Sequence, residues 1–115
     1  MTMQASTRKI NDVIIVDLSG RITLGEGSTQ LRELVGQTLE DGYKQILLNL
    51  GDVHYIDSSG IGELVNAYNT VRKQGGELKL LNLTRKVHDL LQVTKLYTVF
   101  DIKDDEVEAI GSFAG

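Results

Sequence analysis

Gln45-Ile46-Leu47-Leu48-Asn49-Leu50-Gly51-Asp52-Val53-His54-Tyr55-Ile56-Asp57-Ser58-Ser59-Gly60-Ile61-Gly62 is the stretch that decides the fold. Gln45 to Leu50 form a short apolar run of the kind that makes a strand buried on both faces, and Gly51-Asp52 reads as the turn that ends it. Farther on, Ile61, Leu64, Val65, Tyr68 and Val71 recur at the three- and four-residue spacing of one helical face. Asp57, Ser58 and Ser59 therefore fall where a strand hands over to a helix. The first N–H groups of a helix have no intrahelical partner, and the dipole makes that end favourable for an anion. A phosphate added to a serine there would be well received.

Working outward, Val13 to Ser19 is rich in β-branched residues and stops at Gly20, which predicts a second strand. Arg21-Ile22-Thr23-Leu24 either extends it or opens a loop. Gln4 to Ile10 predicts an earlier strand, turning at Asn11-Asp12 into a hairpin. Ser28 or Thr29 is placed to cap a helix whose one face carries Leu31, Leu34, Val35, Thr38 and Leu39, closing near Gly42. Gly75-Gly76 ends the helix that begins at Ser58, and Glu77 to Leu83 reads as a strand. Thr84 is an N-cap before Val87, Leu90 and Leu91. Tyr97 to Phe100 reads as a short edge strand or an extended connection, and Asp104 and Asp105 open a last helix carrying Val107, Ile110 and Phe113. This order implies one α/β domain over residues 1–115: a mixed sheet of four to five strands, with an opening antiparallel hairpin, packed against about four helices. In such sheets the loops after the carboxyl ends of the strands form the functional edge, and Asp57-Ser58-Ser59 lies on it.

Composition narrows the function. The chain has 115 residues, 41% of them hydrophobic and 24% charged, enough for one sizeable core. Lys and Arg number 12 against 16 Asp and Glu, and a net charge of -4 removes the attraction that dominates nucleic-acid binding. The apolar runs are far shorter than the roughly 20 residues that span a bilayer, so no membrane insertion is expected. There is no cysteine and no signal-peptide layout at the N-terminus, which makes the cytoplasm the expected location. Ser58 and Ser59 lack the Gly-x-Ser-x-Gly of a hydrolase elbow, no Gly-Lys pair makes a phosphate-binding loop, and His54 and His88 lie far apart. No catalytic residue, metal or cofactor is expected.

Two readings of the central run stay open on these grounds. In one, Asp57 or Ser58 caps the helix, and Gly60 and Gly62 let it approach a neighbour. In the other, the run is a small open surface for a partner, since two glycines in the first turns cost a helix roughly 1 kcal/mol each. The run Val53 to Leu64 resembles the signature of the STAS domain of bacterial anti-sigma factor antagonists. The likeness extends to Leu18-Ser19-Gly20-Arg21-Ile22, Ile46-Leu47-Leu48-Asn49-Leu50 and Leu78-Lys79-Leu80-Leu81-Asn82-Leu83, in the family's order. Leu24 to Ser28 departs from the family's commoner Ala/Pro-containing version.

The resemblance implies a phosphoprotein that switches partners. Ser58 would be phosphorylated by a partner that is both anti-sigma factor and serine kinase, and a serine phosphatase would reverse the step. Unphosphorylated protein would bind the anti-sigma factor and free a sigma factor. Asp57, Ser59, Gly60, Ile61 and Gly62, with Arg21 and Thr23 from the neighbouring loop, would make the partner-binding surface. The alternative is a non-switching STAS subunit of a transport or stress-sensing assembly. Ser59 is read as a cap or partner-facing hydroxyl, His54 and Tyr55 as rim or packing residues, and His88 as exposed.

Overall fold

The computed structural model of the chain describes residues 3–113. β1 (Gln4–Ile10) and β2 (Val13–Ile22) pair antiparallel through a turn at Asn11, whose φ of 56° asparagine tolerates at low cost. Then come α1 (Glu26–Glu40), β3 (Gln45–Ile56), α2 (Ser58–Lys73), β4 (Glu77–Leu81) and α3 (Arg85–Val93). A 3-10 turn (Leu96–Thr98), β5 (Ile102–Lys103) and α4 (Glu106–Gly111) follow. Among the described residues the strands form one five-stranded sheet in chain order, and every pair after the first is parallel. This is the mixed α/β architecture that the order of apolar runs implies.

Each crossover steps one strand in the same direction, and crossovers share one hand, so α1, α2 and α3 stack on a single face. There Leu31, Val35, Leu64, Val71, Val87 and Leu91 pack on Val16, Ile46, Leu48 and Leu80. The other face carries a smaller cluster, in which Ala109 and Phe113 cover Val13, Ile15, Leu47 and Leu81. β2 and β3 are thus buried on both sides, which is why their apolar runs are continuous rather than alternating.

Several boundaries depart from the sequence reading. Gly51-Asp52 is not a turn: β3 continues to Ile56, and Val53, Tyr55 and Ile56 pair with Gly20, Arg21 and Ile22 beyond a shift in register. The glycine sits close to its neighbours there: an added Cβ would lie 3.3 Å from Asn49 Oδ1, which accepts the Gly51 N–H at 3.1 Å. It marks an irregularity within the strand. β4 stops at Leu81, before Asn82 with its φ of 57°. Tyr97 and Thr98 lie in the 3-10 turn, and the edge strand is Ile102–Lys103, paired with Leu80 and Leu81.

Two helices also differ in detail. α1 begins at Glu26, with Gly25 at the N-cap and no capping side chain. Ser28 is instead buried inside the first turn, and its hydroxyl donates to the Thr23 carbonyl at 3.2 Å. In α4, Val107 is 79% exposed while Ala109, and Phe113 just beyond the helix, are buried, because a six-residue helix is too short for spacing to define a face. The caps at Asp57, Thr84 and Asp105 stand where the sequence puts them or within a residue.

Candidate functional site

β2 and β3 end side by side, with Ile22 opposite Ile56, and the chain then turns directly into α2. Asp57 makes the turn. Its N–H donates to the Ile22 carbonyl at 3.3 Å, and its extended backbone leaves the carboxylate over the helix start. Oδ1 accepts the Gly60 N–H at 2.9 Å and Oδ2 accepts the Leu24 N–H at 3.2 Å. These donors, the Gly60 amide foremost, hold the Asp57 carboxyl below its ordinary range. One ionised side chain therefore caps α2 and tethers the β2–α1 loop to it.

The two glycines of the run differ. A Cβ on Gly60 would collide with the Ile22 carbonyl oxygen and lie 2.6 Å from Ile56 Cγ1, whereas a Cβ on Gly62 would meet open space. Gly60 lets α2 press against the end of β2; Gly62 is exposed and makes no close approach. Ile61, at 4% exposure, belongs to the core, so Ile61 and Gly60 shape the turn from inside instead of offering side chains to a partner. Ser58 is exposed, Asp57, Ser59 and Thr23 are half-buried, and Arg21 stands at the surface. Because Asp57 already occupies the helix start, a phosphate on Ser58 would stand beside a carboxylate, not in a vacant anion site.

A family model described as the STAS domain matches residues 4–109. The chain belongs to the STAS domain family. The anti-sigma-B factor antagonist of Bacillus subtilis is 33% identical over 102 residues, which cover 89% of this chain and 92% of that protein. The crystal structure of TM1081 from Thermotoga maritima aligns with a TM-score of 0.87 at 28% identity, over 95% of this chain and 93% of that one. SpoIIAA of Bacillus, in its phosphorylated form, aligns with a TM-score of 0.73 over 94% of this chain and 97% of that one. At 20% identity the likeness to SpoIIAA is one of fold.

Around the Ser58 turn of this STAS domain the structure joins Tyr55 and Arg21 to residues that the sequence did not single out, Lys86 on one side and Glu63, Arg32 and Asn66 on another. Tyr55 is exposed, and its ring lies under two cations: the Arg21 guanidinium carbon at 4.4 Å and the Lys86 ammonium at 5.3 Å from the ring centroid. Lys86 reaches this spot because the Thr84 hydroxyl donates to the Val53 carbonyl at 2.8 Å, fixing the start of α3 to β3. On α2, Glu63 is 5% exposed and accepts Arg32 Nη2 at 2.9 Å and Asn66 Nδ2 at 3.0 Å, joining α1 to α2 one turn below the serines. No local spacing signals either cluster, since each joins elements far apart in the chain. His54 and His88 are exposed. Among the described residues no helix is long and apolar enough to cross a membrane, and no group of three His, Cys, Asp or Glu side chains could hold a metal.

Proposed function

We propose that this STAS domain is an anti-sigma factor antagonist whose grip on its partner is switched by phosphorylation of Ser58. The observation that carries the reading is the exposed Ser58 hydroxyl directly after the capping Asp57, on the rim where β2 and β3 end. The unphosphorylated domain binds a protein that is both anti-sigma factor and serine kinase, freeing a sigma factor. That kinase moves the terminal phosphoryl group of ATP to Ser58 Oγ, giving ADP and a proton, and a serine phosphatase hydrolyses the ester to restore the hydroxyl and inorganic phosphate. Residues 1–115 act as one domain in the cytoplasm, by binding and not by catalysis, with Asp57, Ser59, Gly62, Arg21 and Thr23 around Ser58 in the contact. The 33% identical relative named as an antagonist favours this over a non-switching transport subunit.

Magnitudes support a local switch. A phosphoserine adds about -1.5 to -2 charges at neutral pH. At an effective dielectric near 20, each unit is repelled by a partner carboxylate about 6 Å away by about 2–3 kcal/mol. Since each 1.4 kcal/mol is about tenfold, affinity falls by about two orders of magnitude or more. The neighbouring Asp57 carboxylate adds to the negative field, and no refolding is required.

The test is affinity capture from the native cell with mass spectrometry of the bound proteins and of Ser58. A histidine-kinase-like ATPase should be recovered, with phosphate on Ser58 in the released fraction. Ser58→Ala should bind that protein as the wild type does, and Ser58→Asp about tenfold more weakly or worse. Equal binding by both variants would overturn the switch.

A further inference from the structure

Beside the Ser58 turn, a large apolar side chain is held out in water by a constrained backbone. Leu24 is 78% exposed, yet its N–H is bonded to Asp57 Oδ2 at 3.2 Å. The preceding Thr23 carbonyl accepts both the N–H and the hydroxyl of Ser28, at 3.1 and 3.2 Å, and the Gly25 carbonyl accepts the Thr29 N–H at 3.0 Å. Gly25 adopts φ 92° and ψ -116°, which residues bearing a Cβ rarely reach. Gly27 closes the loop from beneath, where a Cβ would lie 3.0 Å from the Arg21 carbonyl oxygen. A loose loop could fold such a leucine inward. This one keeps it outward, and a backbone already fixed in place loses little freedom when a partner covers it.

The carboxylate that holds Leu24 belongs to the residue next to Ser58. Any enzyme that phosphorylates Ser58 must bring its active site onto that hydroxyl, and a standard interface covers about 800 Å² on each side. Leu24, one hydrogen bond from Asp57, falls inside that footprint. The groups tied to this turn are polar: the ionised Asp57 holds the Leu24 N–H, and Arg21, three residues before Leu24, shares the Tyr55 ring with Lys86. An apolar centre within a polar rim is the layout of a protein–protein contact. We infer that Leu24 is the apolar anchor of the docking surface, received by a hydrophobic pocket on the kinase that modifies Ser58. The inference rests on the switching role given to Ser58 above.

The probe is that kinase, purified by its ability to transfer labelled phosphate from ATP to Ser58, and the readout is its Kd for purified variants without nucleotide. Leu24→Ser should bind about tenfold more weakly or worse, Leu24→Met should bind nearly as the wild type, and both should keep the wild-type Tm because the side chain is 78% exposed. If Leu24→Ser binds as the wild type while Ser58→Asp is weakened, the switch stands and the anchor is refuted. If neither variant changes Kd, the switching role fails and takes the anchor with it.

Discussion

One methyl group distinguishes the fates of the two glycines beside Ser58. Gly60→Ala would drive a Cβ against the Ile22 carbonyl, a backbone atom fixed in the sheet, and against Ile56. Neither can withdraw, so a loss of about 1–3 kcal/mol is expected. Gly62→Ala meets no obstacle and should instead stabilise by about 0.5–1 kcal/mol, because alanine favours helix more than glycine does. Urea unfolding midpoints of the two variants should therefore move in opposite directions, and movement in the same direction would contradict the packing described. A glycine at 62, at a cost in helix stability, leaves a low surface beside Ser58.

At the scale of elements, α4 depends most on its neighbours. Six residues are too few for a helix to persist alone, and Lys79, 6% exposed on β4, holds the chain just beyond it. Its Nζ donates to the Ser112 carbonyl and hydroxyl at 2.8 and 2.9 Å and lies 3.0 Å from Asp101 Oδ2. Breaking a fully buried ion pair costs about 3–5 kcal/mol. Asp101, however, is about half exposed and can rehydrate, so Lys79→Ala should cost only about 1–3 kcal/mol through lost hydrogen bonds and stem packing. Lys79→Met, which keeps the stem, should cost less. Hydrogen exchange gives the sharper check: α4 amides should lose protection in Lys79→Ala while those of β2 and β3 keep theirs. Uniform loss across the sheet would show that α4 is not a separable unit.

At the scale of the whole molecule, four carboxyl groups among the described residues are held below their ordinary range. Arg8 bonds Asp17 at 2.6 Å and Glu106 at 2.7 Å and lowers both; the Gly60 amide lowers Asp57. Burial alone would raise Asp101, but the hydrogen bonds and charges of Lys79 and Lys103 together outweigh it. A folded-state pKa below the unfolded value means that the unfolded chain binds protons first on acidification. The stabilisation is thus complete above the unfolded carboxyl range, near pH 4, and is lost as pH falls through the folded values. Tm measured against pH should be level down to about pH 5 and then decline, and Asp17→Asn should make the decline shallower. A Tm that rises on acidification would refute this account.

The order of elements, the burial of Gln45 to Leu50 on both faces and a helix start capped by Asp57 or Ser58 were legible along the chain. Each depends on burial within a single element or on a hydrogen bond across one turn. The carry-on of β3 past Gly51-Asp52 was not, because only pairing with Gly20 to Ile22 shows that the glycine sits within a strand. Nor was the burial of Ile61 at a site read as partner-facing, or the convergence of Arg21 and Lys86 on Tyr55. The tie from Asp57 to Leu24 spans 33 positions. Sequence by itself determined the order of the elements and that a serine hydroxyl stands at a capped helix start. Tertiary structure alone decided which side chains surround that hydroxyl, because loop paths are set by contacts between elements distant in the chain, and periodicity records only the burial of each element's own face.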